Sequence, residues 1–382
     1  MLETVNSPTE TLDPERQQQA REYARIRRRL FVLELVIGVA YILFWILSGL
    51  SIWWRDLIHQ FTQATWLSVP LFALGFGLIY GVISVPLDYY SGYVLPHRYN
   101  QSTQSFKEWL VDQVKGLLIT GVIGLIILEI IYALLGVAPR SWWLWAAVVM
   151  LVFTVLLSNL APVLIFPLFF KYKPLEDEEL VNRLTRLAEQ AGTRVKGVYV
   201  FDMSSKTVAA NAALMGLGNT RRIVLGDTLI ENFTADEIEA VLAHELGHHV
   251  HKDVISGIVV QSLLILVGFW LADQVMQWGI VTFGYTGLTD PATFPLLMLA
   301  LGVFGVVTMP LGNVWSRWRE VKADEYALKT TGQSEAFISA MTRLANQNLA
   351  EAEPPAWVEF LLHSHPAISK RVAMAQSFGV EP

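Results

Sequence analysis

The sequence predicts a mainly α-helical membrane protein, with about six spanning helices and a small α+β domain split by the last two of them. Three observations carry this expectation. Hydrophobic residues make up 53% of the 382 positions and charged residues only 16%, too apolar for a water-soluble chain of this length. Six apolar runs are each long enough to cross a bilayer as a helix. Two polar stretches, 171–253 and 316–382, flank the final pair of runs.

Residues 1–29 form a polar, basic segment: Pro8 and Pro14 precede Arg16, Arg21, Arg25 and the triplet Arg27 to Arg29. This reads as a disordered start becoming a short basic helix beside the membrane. The run from Leu30 to about Trp54 exceeds the roughly 7 to 15 apolar residues of a signal-peptide core and is read as the first span. The others cover about 66–88, 117–137, 142–170, 254–280 and 292–315, against a requirement of about 20 helical residues. Four spans thus form a membrane domain over 30–170. Tryptophans near the run ends, among them Trp53, Trp66, Trp142 and Trp278, suit headgroup positions.

An even span count places both termini on one side. The arginines at the start, with Arg98, Lys107 and Lys115 in the 89–116 loop, assign that side to the cytoplasm, because the opposite loops are poor in basic residues. The net charge of −6 argues against a nucleic-acid partner. With no cysteine, disulfides, thiolate nucleophiles and thiolate metal sites are excluded, and any metal must be held by His, Asp or Glu.

Residues 171–382, interrupted at 254–280 and 292–315, then read as one split domain. A helix is expected at about 176–192, strands at Val195 to Phe201 and Arg222 to Leu225, and a helix starting at Thr234, where Thr234-Ala235-Asp236-Glu237 is a capping box. That helix contains His244-Glu245-Leu246-Gly247-His248. Histidines four residues apart project from one helix face and can share one zinc ion, while the intervening glutamate lies beside the open coordination position. Zinc acidifies water, and a carboxylate within reach takes the proton and returns it to the leaving amine. Gly247 leaves room for close packing beside the metal.

No third histidine follows at metzincin spacing, so the third ligand must be distant. Glu320, just after the last span, is the leading candidate, with Asp324 one turn further on able to accept the remaining N–H of a ligand histidine. Spacing alone does not separate this from a charged helix face. His249 and His251 are assigned solvated or interfacial positions, and His365, before Pro366, reads by itself as a helix-start histidine.

Several motifs in order resemble the type I CAAX prenyl endopeptidases, integral-membrane zinc proteases of the gluzincin type. They comprise His97 to Lys115, Asn211 to Gly216, Arg222 to Leu229, HELGH, Ser316-Arg317 to Glu320 with Ala323-Asp324, and His363-Ser364-His365-Pro366 through Arg371. The resemblance implies a zincin-type catalytic domain and a single zinc held by His244, His248 and Glu320. It makes Glu245 the catalytic base, Asp324 the support of the metal shell and His365 the donor to the oxyanion. Asn211 and Arg371 are expected at the substrate, Asn211 beside an exposed strand edge. The implied substrate is a peptide or protein, prenylated near its C-terminus. It also implies an intramembrane chamber, which Glu129, Asn159, Gln261 and Asp273 could line. This chain departs from eukaryotic members in having six apparent spans rather than seven and in lacking a long insertion before HExxH. Two other readings stay open: a broader protease of membrane-protein quality control, and a non-enzymatic scaffold stabilised by zinc.

Overall fold

The computed structural model describes residues 11–216 and 221–378. Helix α1 (Pro14–Leu47) starts where Asp13 accepts hydrogen bonds from the Glu15 and Arg16 N–H groups and Pro14 occupies the first turn. It carries the basic segment and the first apolar run as one helix of 34 residues, about 51 Å at 1.5 Å per residue. That exceeds a hydrocarbon core of about 30 Å, so the polar end stands clear of the membrane.

There it braces the polar stretch that follows the last span. The Asp13 N–H donates to Asn346 Oδ1 (3.1 Å), Gln17 exchanges hydrogen bonds with Ala350 and Ala352, and Arg28 pairs with Glu351 at 2.8 Å. The basic helix expected in this segment runs from Pro14, and the start expected to be disordered falls on residues 1–10, which lie outside the described residues.

The first span ends at Leu47, seven residues earlier than expected. Gly49 adopts a left-handed φ of 76°, and the chain turns into α2 (Leu50–His59). Arg55 accounts for the turn: inside a span it would be an unpaired charge, whereas here it pairs with buried Asp290 at 2.6 Å. Asp290 also accepts from the Thr286 and Ala292 N–H groups, clasping α2 to the 284–293 loop.

Helix α3 (Thr65–Tyr89) passes through a π turn at Tyr90–Val94 into α4 (Leu95–Arg98). Helix α5 (Phe106–Val137) begins at a Ser105/Glu108 capping box, so the loop expected over 89–116 shrinks to a few residues. Helix α6 (Trp142–Leu160) continues through a second π turn into α7 (Phe166–Phe169). With α11 (Asp253–Phe283) and α12 (Phe294–Thr331), six helical runs among the described residues are long and apolar enough to cross a membrane.

Trp142, expected at the headgroups, is fully buried and donates to Asp273 Oδ1 at 2.6 Å. Asp273 is thereby satisfied within the helix packing. Of the other polar residues expected to line a chamber, Gln261 borders a cavity of about 360 Å³ between α6, α11 and α12. Asn159 Nδ2 donates to the Val155 carbonyl of its own helix, and Glu129 is half-buried.

The α+β portion follows α7: β1 (Tyr172–Pro174), α8 (Glu178–Gln190), β2 (Val198–Phe201), β3 (Ala212–Met215), β4 (Arg222–Gly226), α9 (Asp227–Asn232) and α10 (Ala235–Val250). After the last two spans come α13 (Ser334–Gln347), α14 (Ala356–Leu362) and α15 (Ile368–Phe378). The sheet order is β1-β2-β4-β3, with β2 and β4 parallel and the outer pairs antiparallel.

Strands β1 and β3 lack the β-branched residues that mark the other two, which is why the sequence conceals them. Leu184, Ile223, Leu225, Ile238 and Leu242 share one core with Leu328, Phe337 and Ala375. The two polar stretches are thus joined through a common interior, although two membrane helices separate them in the chain.

Candidate metal centre

Helix α10 starts at the expected capping box: the Glu237 N–H donates to Thr234 Oγ1 (3.3 Å) and the Thr234 N–H to Glu237 Oε2 (2.7 Å). Glu237 is itself buried and accepts from Ser339 Oγ at 2.6 Å, locking α10 to α13. This fixes the rotation of α10 and hence the face on which its histidines lie.

That face meets α12 at Gly247. A Cβ there would lie 2.8 Å from Ala323 Cα and 3.0 Å from its carbonyl oxygen, closer than side chains approach backbone. Contact at this point brings the histidines of α10 against Glu320 and Asp324 of α12. Gly247→Ala is expected to cost about 1–3 kcal/mol of stability by overpacking and to weaken metal binding by parting the two helices; thermal unfolding with and without added zinc measures both.

His244 Nε2 lies 3.2 Å from His248 Nε2 and 3.3 Å from Glu320 Oε2, and His248 Nε2 lies 3.4 Å from Glu320 Oε1. Ligand atoms about 2.0–2.1 Å from a tetrahedral zinc are separated by about 3.3–3.4 Å, so the residues present fit that ion. The chemistry agrees: two imidazole nitrogens face each other, and Glu320 Oε2 is buried without a hydrogen bond. A shared cation resolves both features.

Behind this cluster, His244 Nδ1 lies 2.7 Å from Asp324 Oδ1, which orients the ring and leaves Nε2 toward His248 and Glu320. Asp324 is fully buried and grips Arg371, with Nε to Oδ2 at 2.8 Å and a second bond at 2.5 Å. Arg371, expected at the substrate, is instead 8% exposed and turned inward onto Asp324. It compensates a carboxylate that would otherwise be buried unpaired.

His248 has a corresponding partner that the sequence reading missed. Asp253, the first residue of α11, accepts at 2.8 Å from His248 Nδ1 and pairs with Arg319. It lies five residues after His248, at the edge of an apolar run, where no motif marks it. Asp253→Asn is expected to lower zinc affinity about 10- to 100-fold through the loss of this support, read by competition with a chelator.

Glu245 is half-buried beside the two histidines. Burial raises its carboxyl above the usual range, opposed by the nearby His244 and His248, which strengthens it as a proton acceptor. His365 approaches from the open side, exposed, with Nε2 3.4 Å from Glu320 Oε1. His251 does not join the ligands: its Nδ1 meets the Gly247 carbonyl at 2.8 Å and its own carbonyl accepts from Arg319. His249 is likewise only partly exposed and outside the cluster.

Asn211 is exposed and immediately precedes β3, an edge strand of the sheet. Its carbonyl accepts from the Gly226 N–H (2.9 Å), so the main-chain groups of Asn211 face β4. Those of Ala212 and Leu214 accordingly point away from the sheet, where the Ala212 N–H is held by Asn211 Oδ1 (2.9 Å) and the Ala212 carbonyl and the main-chain groups of Leu214 face an added strand. Just upstream, the Asn348 side chain bonds both the N–H and the carbonyl of Ala210, closing the edge there.

A helical membrane bundle joined to a small sheet is an architecture this chain shares with known proteins. The family model of peptidase family M48 matches residues 174–378. The chain belongs to peptidase family M48. A second model, described as the CAAX prenyl protease N-terminal region with five membrane helices, matches residues 5–171 of this M48 protein; among the described residues four long apolar helices lie there, α2 being too short to cross.

The chain is 31% identical over 379 residues to an uncharacterized metalloprotease, YhfN, of Bacillus subtilis, covering 98% of this chain and 88% of that one. It is 28% identical to a probable CAAX prenyl protease 1 of Schizosaccharomyces pombe, covering 95% and 80%. The crystal structure of S. mikatae Ste24p superposes with a TM-score of 0.84 at 25% identity, covering 97% of this chain and 92% of that one. This M48 protein is therefore a multi-pass membrane metalloprotease that resembles the CAAX prenyl proteases.

Proposed function

We propose that the chain is a zinc-dependent endopeptidase that cleaves prenylated CAAX-type peptides near their C-termini. The observation that carries the chemistry is the mutual spacing of the His244, His248 and Glu320 ligand atoms, with Glu245 and His365 flanking them. Zinc bound there would supply a Lewis acid that polarises the scissile carbonyl and acidifies water.

The protein's own groups supply the rest. The outward backbone groups of β3, with Asn211 beside them, hold the substrate as an added strand. Glu245 accepts the proton of the attacking water and delivers it to the leaving amine, so that hydroxyl joins the carbonyl carbon as the C–N bond breaks. His365 donates to the oxygen on which negative charge develops. Asp324, held by Arg371, keeps His244 in register. The basic amino-terminal segment supports a cytoplasmic position for both termini and for the catalytic domain.

The prenylated substrate class rests on the CAAX prenyl proteases among the relatives, such as those of Schizosaccharomyces pombe and Saccharomyces cerevisiae. Incubating the purified protein with one peptide in farnesylated and unmodified forms tests it. Preferred cleavage of the lipidated form is expected. Equal turnover would replace the prenyl reading with a broad membrane protease, and cleavage of neither would remove the prenyl reading altogether.

A further inference from the structure

Helix α14 is amphipathic in the sense opposite to a helix facing water. Its inward side carries Val358 and the carboxylate of Glu359, 0% and 6% exposed, while Trp357, Phe360 and Leu361 stand outward at 61%, 52% and 36%. The spacing i, i+3, i+4 gathers these three on one face. Exposing such a stripe to water while burying a charge would be costly.

The helix is bound to the end of the last span. Asn313 Nδ2 donates to the Leu361 carbonyl at 2.7 Å, and the Arg317 guanidinium donates to the Glu359 carbonyl at 2.6 Å and to that of His363. At the same level α12 exposes Leu311, Val314 and Trp318, so the apolar face of α14 continues the outward apolar surface of a helix long enough to cross a membrane. The apolar run of α12 gives way there to Arg317 and Arg319, which marks headgroup depth.

We infer that α14 is seated in the lipid headgroup layer, with Trp357, Phe360 and Leu361 buried in the bilayer interface. The consequence reaches the metal centre through Glu359, whose carboxylate accepts from the Ala367 N–H (3.1 Å) and from Lys370 Nζ (2.6 Å). Ala367 lies two residues after His365, so the bilayer sets the height of His365 above the membrane. The inference rests on the spanning helices and not on the peptidase reading, and its test is spectroscopic, so the two can fail separately.

Because the chain contains no cysteine, Trp357→Cys, Phe360→Cys and Gln376→Cys each provide a unique thiol for an environment-sensitive fluorophore. The labelled proteins are reconstituted in phosphatidylcholine vesicles, with or without lipids carrying a nitroxide near the headgroup. Blue-shifted emission, loss of intensity to the lipid-borne quencher and protection from aqueous iodide are expected at positions 357 and 360, and the reverse at exposed Gln376 on α15. Iodide quenching at 357 and 360 would overturn the proposal, as would protection from both quenchers, which would mean that protein covers the face. Two labelled positions on one face keep the result readable if either variant fails to fold.

Discussion

Glu245→Gln is expected to abolish peptide hydrolysis while leaving the metal bound. The substitution preserves shape and keeps a polar side chain beside His244 and His248, so neither the α10–α12 contact nor the ligand set changes. What disappears is the only function an amide cannot perform, accepting a proton. Positioned general bases contribute about 10²- to 10⁴-fold to rate, and burial raises the affinity of the Glu245 carboxylate for a proton. A loss at the upper end of that range in kcat, with unchanged metal content by elemental analysis, is the expected outcome. Turnover within a few-fold of the parent would remove Glu245 from the base role, and loss of the metal would show that it has a structural one.

How much of this site could be read from the chain depended on distance along it. HELGH and the Thr234 capping box are local, and both lie where their spacing places them, because a helix period of 3.6 fixes relative direction over a few residues. Glu320 and Asp324 lie across two membrane helices, and spacing alone left them ambiguous. Their approach to His244 depends on the contact between Gly247 and Ala323, a tertiary fact with only a glycine to signal it. Asp253 and Arg371 show the limit. Each supports a residue of the candidate site from behind, yet no motif marks Asp253 and the resemblance assigned Arg371 to the substrate, since sequence does not reveal which way a side chain turns. The six spans were legible from composition. The end of the first was not, because Trp53 and Trp54 continue the apolar run beyond the turn that Gly49 and the Arg55–Asp290 pair impose.

Glu320→Gln is expected to empty the site, and the same geometry sets the pH at which the parent loads. An amide is a poor zinc ligand, and its N–H₂ would face the two imidazoles; chelator competition should register a large fall in affinity, with peptidase activity lost in parallel. In the parent without metal, burial lowers the pKa of His244, but the facing carboxylates of Asp324 and Glu320 outweigh it and raise the ring to about 9. Zinc must then displace a proton. Affinity is therefore expected to fall as pH drops below about 9, with proton release on binding detectable by calorimetry in buffers of different ionisation enthalpy. Stability moves in the opposite sense. A histidine whose pKa is raised on folding stabilises the metal-free protein fully below its unfolded value, near 6.5, and that contribution is lost as pH rises toward 9. Thermal unfolding of the chelated protein should thus occur at lower temperature as pH climbs through this window, and added zinc should restore it most strongly at the alkaline end. A zinc affinity that is flat between pH 6.5 and 9 would show that the imidazole of His244 is already free of its proton, and that Asp324 orients the ring without charging it.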